Sequence, residues 1–91
     1  MQEEAVFTFS SPGQAIAGED LFLSKGLSVK VMPLPSSIQA GCGLCLRVPV
    51  ESLSTYTTLL QAENIPWKQI YQKSQANGQN LYTLMEDFYD G

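Results

Sequence analysis

Histidine is absent from the 91 residues, and that absence excludes more chemistry than any residue present supplies. Without an imidazole the chain cannot form a Ser-His-Asp or Cys-His catalytic pair, so most hydrolase mechanisms are ruled out. Mixed Cys/His zinc sites go with it. The two cysteines, Cys42 and Cys45, offer two ligands where a structural zinc takes four, and a four-thiolate site would need a second chain. Basic residues are almost as scarce. Only Lys25, Lys30, Arg47, Lys68 and Lys73 carry positive charge, spread along a chain of net charge -4. With no basic stripe, phosphate backbones and acidic membrane surfaces repel such a protein, so neither nucleic acid nor membrane is an expected partner. Long apolar runs are missing too. No segment approaches the roughly 18 residues of a membrane span, and the first twenty residues lack the basic and apolar regions of a signal peptide. The expected compartment is the cytoplasm, where cysteines are held as thiols.

What is present describes one small soluble globular domain, 44% hydrophobic and 15% charged, with room for one core and one site. Residues 5–10 alternate around Phe7 and Phe9 as a strand. Ser11-Pro12 supplies an N-cap followed by proline at the first helical position, and Gly26 suits a left-handed C-terminus. A helix therefore runs to about Lys25 with Ala15, Gly18, Leu21 and Phe22 on one face. Leu27, Val29 and Val31 form a second strand ended by Pro33 and Pro35. The stretch from Pro33 to Gly43 reads as a loop. Leu44, Leu46 and Val48 make a third strand, with Cys45 and Arg47 pointing the other way. Leu53, Tyr56, Leu59 and Leu60 recur at helical spacing between Val50 and Glu63, Asn64 closes that helix, and Ile65, Trp67 and Tyr71 belong to a fourth strand.

This order predicts an α+β fold of ferredoxin-like βαββαβ type, an antiparallel sheet with two helices on one face. The domain is expected over residues 1–73. Residues 74–91 are expected to be a polar linker and C-terminal extension, the tail from Leu81 to Gly91 being left open between an extra strand, a short helix and disorder. The helix-free face, carrying Cys45 and Arg47, is expected to lie open to solvent or a partner. Trp67, Tyr56 and Tyr71 read as core or sheet residues. Glu86, Asp87 and Asp90 lack the alternation of a calcium loop and read as a solvated tail.

The chemistry, if any, sits at Cys42. It lies between Gly41 and Gly43 at a loop-to-strand junction, where unpaired backbone N–H groups can face a sulfur anion and favour the thiolate. An ordinary half-buried cysteine in a tight turn fits the same residues equally well. Cys42 and Cys45 also spell Cys-x-x-Cys, but Leu44–Val48 reads as a strand, without the helix N-terminus of a dithiol redox site. That context makes Cys45 a sheet residue. Arg47 can attract an anion or support a thiolate, although alternation places it with Cys45 and favours a solvated or interface arginine.

The segment Met32-Pro33-Leu34-Pro35-Ser36-Ser37-Ile38, continued by Gly41-Cys42-Gly43-Leu44-Cys45-Leu46-Arg47, resembles a bacterial family of short selenium/sulfur carrier-like proteins. Its pattern is a Pro-x-Pro loop, a Ser-rich stretch and Cys-Gly-x-x-Leu-Arg. The similarity extends through Ser10-Ser11, Ala15, Glu19 and Gly26, and through Leu53, Leu60, Ile65 and Ile70-Tyr71, covering about residues 5–72. The resemblance implies a carrier rather than a stand-alone enzyme. Cys42 would be the carrier thiol, with Gly43 and Arg47 in support, accepting a persulfide or perselenide from a donor such as a cysteine desulfurase and passing it to an acceptor protein without a cofactor. Cys45 stands where the family has a small or aliphatic residue and inherits no role. Two other readings accompany this one: an interaction or regulatory module that dimerises or binds a protein through its open sheet face, and a dithiol redox protein using both cysteines.

Overall fold

The computed structural model describes residues 3–38 and 42–89, the side chains of 87–89 excepted. Strand β1 (Glu4–Thr8) leads to helix α1 (Pro12–Ser24), then β2 (Lys30–Pro33) and β3 (Leu44–Pro49). A 3-10 turn (Val50–Ser52), helix α2 (Leu53–Ala62), β4 (Trp67–Ala76) and β5 (Gln79–Tyr89) follow. The fold is α+β. Its five strands form one antiparallel sheet in the order β2-β3-β1-β4-β5, so the four-strand sheet expected from the sequence is one strand short.

Local chemistry sets the helix ends. Ser11 caps α1 by accepting a hydrogen bond from Gln14 N at 3.2 Å, which satisfies one of the orphan amides of the first turn. Both helices finish in the same way. Gly26 N donates to Leu23 O and Leu27 N to Phe22 O, and likewise Asn64 N donates to Gln61 O and Ile65 N to Leu60 O. These are paired Schellman bonds around a left-handed residue. The first of them draws Leu27 into the helix cap, which is why β2 begins at Lys30, three residues later than its alternation suggests.

Register assigns the faces. Phe7 stands between Leu46 and Ile70, and Ala5 beside Val48. These side chains meet Phe22, Tyr56 and Leu60 of the helices in one buried cluster. Phe22 packs edge-on to Tyr56 at 4.7 Å and Phe7 edge-on to Trp67 at 5.6 Å, the geometry aromatic quadrupoles favour. Gly18 lets α1 approach closely, because a Cβ there would stand 3.0 Å from Leu46 Cδ1. The Tyr56 hydroxyl donates to Ser28 O at 2.7 Å, tying α2 to the segment before β2.

One expectation requires correction. Residues 74–80 are not a linker. They complete β4, turn at Asn77-Gly78 and start β5, which returns along β4 from Gln79 onward. Asn77 and Gly78 both have positive φ, 54° and 77°, the conformation of a two-residue hairpin turn whose twist matches that of its strands. The helix-free face buries its centre and exposes its rim. Val6, Thr8 and Cys45 are fully buried there, with larger neighbours in register, Met32 beside Cys45 and Tyr71 beside Val6, while Lys30 and Leu84 on the same face are exposed. Thr8 Oγ1 accepts from Gln69 N at 3.0 Å, and Glu4 pairs with both Arg47 and Lys73, at 3.1 and 3.5 Å.

Candidate functional site

Cys42 enters the structure at the last turn before β3 and is half-buried against the edge of the helix-side core. Its thiol donates to Leu44 O at 3.7 Å. Gly43 next to it has φ +91°, a left-handed conformation that any side chain would strain, and a Cβ there would meet nothing within 4 Å. Gly43 O accepts from Leu34 N at 2.9 Å, so the start of β3 is fastened across the proline-rich loop. Gly41, the other glycine expected to flank the thiol, lies outside the described residues, as do Asp90 and the Asp87 side chain of the acidic tail.

Cys45 is different in every respect. It sits inside β3 opposite Thr8 and Met32, fully buried on the helix-free face, with its thiol donating to Pro33 O at 3.8 Å. Burial pushes its titration up from 9.0 to about 11, Arg47 opposes that shift, and Cys42 adds to it. Cys42 packs against the edge of the helix-side core from the turn before β3, whereas Cys45 lies on the helix-free face of the strand.

The structure places Arg47 on the face of Cys45, next to Val6 and Lys30, with Nε 3.1 Å from Glu4 Oε1. It is not brought to Cys42. A neighbour that the sequence does not reveal joins this cluster. The Tyr82 phenol is pushed up by burial and then by Cys45, while Arg47 lowers it and Glu4 raises it, so the β4–β5 hairpin carries Tyr82 in over the sheet. Only the Asn-Gly pair at 77–78 could have signalled that return. Trp67 and Tyr56 are buried core residues as expected, and Trp67 Nε1 donates to Glu86 Oε1 at 3.0 Å.

A groove of about 490 Å³ lies between α2 and β5, lined by Leu53, Thr57, Ile70 and Met85 among others. It opens beside Val50, at the opposite end of β3 from Cys42. Among the described residues no group of three or more potential metal ligands converges, and no helix is long and apolar enough to cross a membrane.

Fold and site together define a small α+β domain that holds one half-exposed thiol at a loop-strand junction and one buried thiol in the adjoining strand. The chain belongs to the family described as "Putative Se/S carrier protein-like", whose model matches residues 4–72. No curated protein and no solved structure matches it.

Proposed function

We propose that the protein carries sulfur or selenium as a persulfide or perselenide on Cys42. The observation that carries this reading is the inequality of the two thiols. Burial pushes the Cys45 thiol up from 9.0 to about 11, which cuts its own thiolate about a hundredfold at neutral pH, and it closes Cys45 to any partner. Cys42 is the thiol a donor can reach. In the proposed step its thiolate attacks the outer sulfur of a donor persulfide, the S–S bond of the donor breaks, and the electron pair leaves on the donor's thiolate. Cys42 now bears the persulfide, and the step needs no oxidant or cofactor. An acceptor nucleophile then removes the outer sulfur and regenerates the Cys42 thiolate. Such a carrier works in a reducing compartment such as the cytoplasm, beside a donor of the cysteine desulfurase class. Arg47, engaged with Glu4, serves to hold β3 against β1. The β4-β1-β3-β2 part of the sheet order supports reading residues 4–76 as a ferredoxin-like unit that β5 extends. An interaction module using the exposed rim of the helix-free face is the alternative reading, and the dithiol reading is weakened by the burial of Cys45.

The test is intact-mass analysis after incubation with a cysteine desulfurase, cysteine and the cofactor of that enzyme. Wild type and Cys45→Ala gain one sulfur atom, and Cys42→Ser gains none. No gain in wild type, or a gain that survives in Cys42→Ser, refutes the carrier role.

A further inference from the structure

The two edges of the sheet are built differently. β2 is four residues long, opens on exposed Lys30 and ends on exposed Pro33. Short length, a lysine and a proline are the devices that keep a sheet edge from pairing with another chain. β5 has none of them. It runs eleven residues with neither lysine nor proline, and it has no strand on its outer side among the described residues. Its middle also displays the exposed large apolar side chains Leu81, Leu84 and Met85, at 46%, 46% and 44% exposure. An edge strand of this length with apolar side chains out in water is a template for another strand.

From this asymmetry we infer that the outer edge of β5 is a homodimer interface, where a second copy adds its own β5 antiparallel to form a continuous ten-stranded sheet. A two-fold axis through the sheet requires residues of equal parity to face each other, and self-pairing centred on Thr83 satisfies this. It sets Leu81 across from Met85 of the second copy and Tyr82 across from its Leu84, so every exposed apolar side chain of the edge meets an apolar one. The irregularity opposite Ile70/Tyr71 ends this regular row at Met85. Pairing in the parallel sense would set Glu86 against Glu86. The main-chain groups along the edge provide hydrogen bonds, and the side-chain rows fix the register. Cys42 lies beyond the opposite side of the sheet, next to β2, so both thiols of such a dimer stay free for exchange. The interface stands independently of the carrier reading.

Sedimentation equilibrium and light scattering on the full chain test it. Wild type runs at twice the 10.0 kDa chain mass at tens of micromolar, and its association tightens with added salt, because each copy carries a net charge of -4. Leu84→Lys and Leu81→Lys each weaken association by about tenfold or more while the far-ultraviolet spectrum and Trp67 emission stay native. Leu23→Lys, which alters an equally exposed apolar residue on α1, leaves the dimer intact. A wild type that remains monomeric, Leu81→Lys and Leu84→Lys variants that fold and still dimerise, or a Leu23→Lys variant that dissociates would each overturn the proposal.

Discussion

Alkaline pH should weaken this fold through a single buried thiol. Cys45 titrates at about 11 in the folded chain and near 9.0 when unfolded. The folded state therefore holds its proton more tightly. The sign follows from linkage: for an acid whose folded value is raised, the stabilisation is complete below pH 9 and is lost as the pH climbs toward 11, where the unfolded chain has released a proton that the folded chain retains. Two pH units correspond to about 3 kcal/mol, of which about 2 kcal/mol is gone by about pH 10.5. A domain of this size has roughly 5 to 14 kcal/mol of stability in all, so the loss is large enough to measure. The assay is urea unfolding under reducing conditions, read by the emission of Trp67, which is 2% exposed and should shift to the red on unfolding. Tyr56 and Tyr82 are also pushed up by burial and weaken the fold in the same direction, so the informative quantity is a difference. Cys45→Ala lacks the thiol and keeps both tyrosines. Wild type and Cys45→Ala should converge by about 2 kcal/mol between pH 8 and about 10.5, a relative midpoint shift on the order of 1 M urea. Parallel pH profiles for the two proteins would show that Cys45 is not held neutral by burial, and would remove the argument that sets it apart from Cys42.

Two further substitutions probe the frame around the thiols. Gly43→Ala places a side chain at φ +91° in otherwise open space, so its cost is purely conformational, about 1–2 kcal/mol; an unchanged urea midpoint would mean that the turn before β3 is not fixed. Phe22→Ala removes a fully buried ring that packs edge-on to Tyr56 and should cost about 3–5 kcal/mol with collapse of the near-ultraviolet aromatic signal; a loss under about 1 kcal/mol would place the core elsewhere.

The elements whose signals are local were legible in the sequence. Ser11-Pro12, Gly26 and Asn64 mark helix ends through short-range hydrogen bonds, and the positions they predict are those observed. Alternation of apolar and polar residues likewise suffices to separate Cys45 and Arg47 from Leu44 and Leu46. What alternation cannot say is what lies over a face. Val6, Thr8 and Cys45 are buried beside residues of β2 and β4 whose alignment depends on strand register, a long-range property. β5 was hidden for a different reason. Its Asn77-Gly78 turn sits in the polar run Ser74 to Asn80, without the flanking hydrophobic alternation that would have marked a hairpin. Leu81 and Leu84 fall on opposite faces of β5, and the register irregularity opposite Ile70/Tyr71 shifts the phase again at Met85, so the three show no period of two.

The spacing of the cysteines has a consequence for the proposed chemistry. A persulfide on Cys42 is vulnerable to any nearby thiolate that attacks its inner sulfur, because that reaction expels hydrosulfide and leaves a Cys42–Cys45 disulfide in place of the cargo. On a helix, residues three apart share a face and this loss would be fast. Here Cys42 sits in the turn before β3 against the helix-side core, and Cys45 faces the other side of the strand. The would-be attacker is also kept protonated by the burial that pushes it to about 11. Placing the Cys-x-x-Cys segment at the head of a strand therefore lets the chain keep a second cysteine as a packing residue beside the proposed carrier thiol. A Cys45 moved by one position, into register with the opposite face, would bring the second sulfur toward the side of Cys42 and expose the cargo to release.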